Sequence, residues 1–360
     1  MKNKAVSSST RKTGNKQKRE HEMIIDCHGH YTTTPPGVGE YRDQQKAAIA
    51  KDPSHKGVKG KVVVSDDEII ESIEQNQLRL QQERGTDLTI FSPRASWMGH
   101  HIGNEYTSQY WTEHQNDLIK RVCDLFPKNF APVAQLPQSP GVDPAKSVAE
   151  LVRTVEEMDF IGCNLNPDPS GGHWQDASLG DKSFYPLYEK MCELDVPAMI
   201  HVSASCNDCF HTTGSHYLGA DTTGFQQLIM SDVFQDFPEL KIIIPHGGGA
   251  VPYHWGRFRG LMQDQGFEPL EKSALKNIYF DTCVYHQKGI DLLLDIIPTE
   301  NILFASEMIG AVRGIDPETG HYFDDTKRYI DNNSLLSTEQ KQMIFEGNAR
   351  RVFSRLKIAE

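Results

Sequence analysis

Nowhere in its 360 residues does the chain hold an apolar run of about 18, the length a membrane-spanning helix needs. Together with a mean hydropathy of −0.51, this excludes a helical membrane protein. An excess of positive charge is also missing: 37 Lys and Arg against 49 Asp and Glu leave −12 at pH 7. Proteins that grip nucleic-acid phosphate depend on clustered cations. Nucleic acid is therefore not the expected partner, and an anionic substrate has to meet a local basic pocket. No glycine-rich phosphate turn follows the first apolar run, where the chain reads HGHYTTTPPG from His28, so dinucleotide binding is not expected either. A secretory apolar segment is lacking, and the seven cysteines are odd in number and scattered, which reads as a reducing, cytoplasmic setting. Cys206 and Cys209 form one CxxC pair, and without a second pair it is a weak zinc-knuckle or redox signal.

What the chain does have is repetition of alternating character. Residues 1–22 are basic, rich in Ser, Thr and Lys, and nearly free of large apolar groups, and they read as a disordered leader. From residue 23 to 360 a single barrel domain is expected. Its signal is a series of short apolar runs bounded by turn residues: MIIDC at 23, LTIF at 88, APVAQL at 131, FIGCNL at 160, PAMIHV at 197, KIIIPH at 241, NIYFDT at 277 and NILFAS at 301. Polar, helix-forming stretches lie between them, such as DDEIIESIEQNQLRLQQER from Asp66. Strands alternating with helices imply βαβ units and a parallel sheet, and eight units favour closure into an α/β, (β/α)8 TIM-type barrel over an open doubly wound sheet.

In such barrels chemistry sits at the carboxyl ends of the strands. Here the runs end in His28 and His30, then in Asn164, His201, His246, Asp281 and Glu307. Two histidines two residues apart on an extended strand point the same way, into the barrel mouth, and form half of a metal site. His201 and Glu307, each just past a strand, can complete the shell. Imidazole nitrogens with one carboxylate oxygen suit zinc. Taken singly, a strand-end histidine establishes little. The joint pattern is what carries the metal reading.

DCHGH at 26–30, HVSAS at 201–205, IPHGGGAVPYHWGRF at 244–258 and FASE at 304–307 resemble the amidohydrolase-related family, and EGNARRVF at 346–353 resembles its closing helix. The family includes aminocarboxymuconate semialdehyde decarboxylases, resorcylate decarboxylases and oxalomesaconate hydratases. The similarity spans 23–355 and implies one zinc per chain on His28, His30 and His201, with the strand-eight acid as fourth ligand and His246 as a catalytic group beside it. Most members carry Asp after strand eight, whereas this chain has Glu307, one methylene longer. SEMIGAVRGIDPETGHYFDD from Ser306, SPRASWMGHH from Ser92 and GSHYLGADTTGF from Gly214 are most similar to the 4-oxalomesaconate hydratases of aromatic-acid ring cleavage. The resemblance also implies a homodimer or a higher homo-oligomer.

Hydration of an unsaturated keto-tricarboxylate is a conjugate addition, and it asks for three things. The metal either lowers the pKa of a water or polarises the substrate oxygens, and the sequence leaves both open. A base near the metal is His246 or Glu307, with His246 favoured. A proton donor on the opposite face is Tyr217, in the long polar stretch after strand five. A small polycarboxylate also needs arginine, whose planar fork binds carboxylate. Arg94, Arg313 and Arg257 are the candidates in that order, with Asn164 and His100 as further polar contacts. The triplet Gly247–Gly249 reads as a tight turn allowing close approach. Three rival readings remain: a non-oxidative decarboxylase with the same metal shell, a metal-dependent hydrolase, which would want Lys where Asn164 stands, and an inactive barrel used as a scaffold.

Overall fold

A computed structural model describes residues 23–210 and 215–358. The expected leader lies outside them. Among the described residues nine short parallel strands follow in order: β1 Ile25–Tyr31, β2 Leu88–Pro93, β3 Phe130–Pro132, β4 Ala134–Gln135, β5 Cys163–Leu165, β6 Ala198–Ile200, β7 Ile242–Ile244, β8 Ile278–Asp281 and β9 Ile302–Leu303. They correspond to the eight predicted runs, because the third run breaks at Val133 into β3, paired with β2, and β4, paired with β5. Backbone hydrogen bonds bridge both seams: Val133 N donates to Phe91 O at 2.9 Å, and Cys27 N donates to Phe304 O at 2.8 Å. The second bond joins the first stave to the last, and the sheet closes as a (β/α)8 barrel.

Period-two alternation sorts the strand residues into two layers. Ile243 packs inside with Ile25, Cys27, Leu88, Ile90, Met199, Tyr279 and Leu303, while its neighbours Ile242 and Ile244 pack outward against the helical layer. The barrel is thus filled with side chains, as its fold requires. The predicted closing segment is helical over Asn348–Val352, and Ala349, Val352 and Phe353 plug the inner layer from below. In β1 a register shift between Asp26 and Gly29 breaks strict alternation, which lets Ile25 and Cys27 fill the interior while His28 and His30 rise above them.

The helical stretch from Asp66 is capped as its sequence dictates. Ser65 and Glu68 exchange a reciprocal capping box, and Gly85 ends the helix with φ 69°. Among the described residues no helix is long and apolar enough to cross a membrane, and the seven cysteines are free.

Candidate metal centre and active-site mouth

His28, His30, His201 and Glu307 are buried, and they offer one ligand atom each, all within 4.8 Å of one another. Hydrogen bonding assigns the imidazole protons. His28 Nδ1 lies 2.8 Å from the Asp281 carboxylate, His30 Nδ1 lies 2.7 Å from Ser92 Oγ and 3.2 Å from Pro93 O, and His201 Nδ1 lies 3.0 Å from Val202 O. Carboxylates and carbonyls only accept, so each Nδ1 carries the proton and each Nε2 presents a bare lone pair. Those lone pairs face one another, 3.0 Å apart between His28 and His30 and 2.9 Å between His30 and His201. Burial, reinforced by the neighbouring histidines, holds His30 and His201 well below the usual imidazole pKa, so neither relieves the crowding by protonation. A donor set of three lone pairs and a carboxylate converging on one point fits a divalent cation. The partners on the far side of each ring are those expected behind metal-binding histidines.

Glu307 reaches this point from a strained loop. Glu307, Ile309, His246 and Tyr285 have φ of 51°, 58°, 53° and 62°, a left-handed conformation costly for bulky residues. Tertiary contacts hold them there. Glu307 N donates to His28 O at 2.9 Å, Ile309 N to Asp324 Oδ2 at 3.0 Å, and Thr32 Oγ1 to Ile309 O at 2.7 Å. Asp324 is in turn paired with the half-buried Arg84 at 2.9 Å. Below, Ser306 N and Oγ donate to Asp26, a fully buried carboxyl that burial pushes up to about 6. The Tyr285 hydroxyl lies 3.0 Å from Glu307 Oε2.

His246 stands beside the cluster, its ring 5.3 Å from that of His28 and 5.8 Å from that of His201. Its Nδ1 donates to Asp221 at 2.8 Å, while Nε2 has no hydrogen-bond partner among the described residues and lies 3.8 Å from Glu307 Oε2. Burial opposes protonation, but Asp221, Glu307 and Asp281 outweigh it and raise His246 to about 9. The glycine triplet creates this pairing. Its three residues have φ of 65°, 81° and 58°, and a Cβ on Gly249 would lie 2.6 Å from Leu218 O, so only glycine lets the turn reach the helix Ser215–Ile229 that bears Asp221. Asp221 went unremarked in the sequence. The available signal was its place one helical turn after Tyr217, on the same face. Tyr285 and Ser92 offered none, since their roles depend on contacts 22 and 62 residues away.

Above the cluster opens a cavity of about 350 Å³, whose lining includes His30, His201, Glu307, Tyr217, Arg94 and Arg313. The Tyr217 ring packs 4.4 Å from that of His246, and burial, then Glu307 and Asp221, push its phenol up to about 12. Arg94 stacks on Trp97 at 4.7 Å and is lowered by burial and by facing Arg313. Neither arginine has a carboxylate within 4 Å among the described residues. The other expected contacts lie elsewhere. Arg257 is exposed on the helix Trp255–Asp264 and does not line the cavity. Asn164 sits one layer down, where its amide donates to Ser92 Oγ at 3.1 Å and so supports His30. His100 is buried against Ser108.

The sequence profile described as amidohydrolase matches residues 25–355. The chain is 60% identical over 335 residues to a 2-keto-4-carboxy-3-hexenedioate hydratase of Sphingobium sp., covering 93% of this chain and 97% of that protein. It is similar to the crystal structure of 4-oxalomesaconate hydratase from Rhodopseudomonas palustris, with 57% identity, a TM-score of 0.85, and coverage of 92% and 96%. More distantly, a gamma-resorcylate decarboxylase of Polaromonas sp. is 26% identical over 305 residues, 78% of this chain and 87% of that protein.

Proposed function

The chain belongs to the amidohydrolase family, and we propose that within it the protein is a metal-dependent hydro-lyase that adds water to the C=C of 4-oxalomesaconate in protocatechuate or gallate ring-cleavage catabolism. The observation that carries this reading is the pairing of the His/Glu cluster with Arg94 and Arg313, which have no carboxylate within 4 Å among the described residues, across one cavity. A polyanionic substrate of the right size satisfies both. Likeness along nearly the whole chain to two hydratases favours addition of water over loss of CO2.

We assign one zinc per chain to His28, His30, His201 and Glu307, because imidazole nitrogens with a carboxylate suit that ion. Bound there, it supplies Lewis acidity toward water or the substrate oxygens. Arg94 and Arg313 grip the substrate carboxylates through their planar forks. His246, oriented by Asp221, takes a proton from water as its oxygen bonds to the carbon β to the ketone, and Glu307 stands close enough to share that proton. A cation held beside His246 opposes the pull of its carboxylates and favours the neutral, proton-accepting ring. In the conjugated isomer for which the Sphingobium relative is named, 2-keto-4-carboxy-3-hexenedioate, the C=C electron pair moves toward the ketone oxygen, and the Tyr217 phenol, protonated at neutral pH, delivers its proton to the α carbon. Solvent then returns a proton to Tyr217 and removes one from His246, so one water is added overall.

A spectrophotometric assay with 4-oxalomesaconate tests this. The native protein should consume the enedioate chromophore without releasing CO2, and Glu307→Gln should be slower by about 100-fold or more. CO2 evolved in proportion to substrate loss would replace hydration by decarboxylation. Elemental analysis should find zinc near one per chain. A cytoplasmic homodimer completes the reading, and sedimentation at the mass of one 40.6 kDa chain would remove the dimer.

A further inference from the structure

The carboxylate of Glu307 occupies the space where a side chain at residue 310 would begin. A Cβ on Gly310 would lie 2.6 Å from Glu307 Cδ and 2.6 Å from Glu307 Oε1, far inside contact distance. It would also lie 2.6 Å from Glu307 O, because the turn is closed by Gly310 N donating to that carbonyl at 2.8 Å. The left-handed backbone at Glu307 and Ile309 curls the chain so that residue 310 comes back over the acid. On the other side the Tyr285 hydroxyl lies 3.0 Å from Oε2. The carboxylate is therefore walled by Gly310 on one oxygen and held by Tyr285 on the other.

We propose that Gly310 is a positioning residue for Glu307: its missing Cβ leaves the room into which the longer acid folds, and Tyr285 fixes the acid there, so this loop is matched to glutamate rather than aspartate. The shorter acid has no Cδ or Oε1 to meet a side chain at residue 310, and its stem can turn aside. The inference rests on Glu307 serving the cation site.

The test is a double-mutant cycle read in metal binding. Native, Gly310→Ala, Glu307→Asp and the double variant are loaded with Co2+. Affinity is measured by chelator competition and the coordination sphere by visible absorbance, with folding checked by circular dichroism. Gly310→Ala should weaken Co2+ binding by about tenfold or more beside the native Glu307, the size expected when a ligand's support is lost, and by under about threefold in the Glu307→Asp background. The clash with the backbone carbonyl is common to both backgrounds and cancels. Equal losses in the two backgrounds would overturn the proposal. Where Gly310→Ala does not fold, Tyr285→Phe takes its place in the same cycle, with loss expected beside the native Glu307 alone and equal losses again overturning it. Because the readout is metal binding, failure of the hydration assay would leave this result standing, and the reverse also holds.

Discussion

His28 and His30 enter the metal centre from one end of the barrel seam and Glu307 from the other, and different physics holds the two ends. The histidines stand on a seven-residue strand, buried throughout, whose extended backbone sends both side chains to the same place, where Asp281 and Ser92 then hold the rings. Glu307 lies four residues beyond a two-residue strand, in a left-handed loop conformation. Tyr285, Thr32, Asp324 and the absent side chain of Gly310 keep it in place. The direction of a strand ligand is set by its own backbone, whereas that of a loop ligand is set by what packs around it.

The sharpest way to break this contrast is to remove a strand ligand. His28→Ala should lower metal retention and hydration by about 1,000-fold or more, beyond the 10–100-fold typical of supporting residues, with folding preserved. Near-native metal content in that variant would mean that the strand histidines do not form the site. A smaller effect is expected from Asp281→Asn. The new amide offers an N–H to His28 Nδ1, which drives the proton to Nε2 and takes away the lone pair, so metal affinity should fall by about 10–100-fold. Chelator competition measures it, and an unchanged affinity would show that His28 needs no outer partner.

On the loop side, Arg84→Met leaves Asp324 buried and unpaired, a change that costs about 3–5 kcal/mol. The melting temperature should drop while the His28–His30 strand keeps its geometry in a crystal structure. A melting temperature equal to native would mean that the loop carrying Glu307 does not depend on this clamp. The smallest effect is a pH dependence in the metal-free protein. His246 stands at about 9 folded against 6.5 in its ordinary state, so its protonation adds stability that is complete below about 6.5 and lost as the pH rises through 9. The stability gap between native and His246→Gln should therefore shrink over that interval in thermal melts. A flat gap would show that His246 is already neutral.

The sequence by itself determined the eight staves, their parallel order and the convergence of His28, His30, His201, His246 and Glu307. Strand periodicity, together with the rule that polar strand ends face the barrel mouth, acts over a few residues and is legible in one dimension. It also made Arg94, Arg313 and Tyr217 candidates for the cavity they line. Arg257 and Asn164 were also candidates in sequence, ranked below Arg94 and Arg313. Only the tertiary structure put Arg257 on a solvent-facing helix and Asn164 beneath His30, because what separates these residues from Arg94 is helix facing and layer depth. The pairing of Asp221 with His246, the Tyr285 contact and the fit of Glu307 against Gly310 were likewise tertiary decisions. Each joins positions on different loops whose approach is set by closure of the barrel and by backbone conformations that no local pattern encodes.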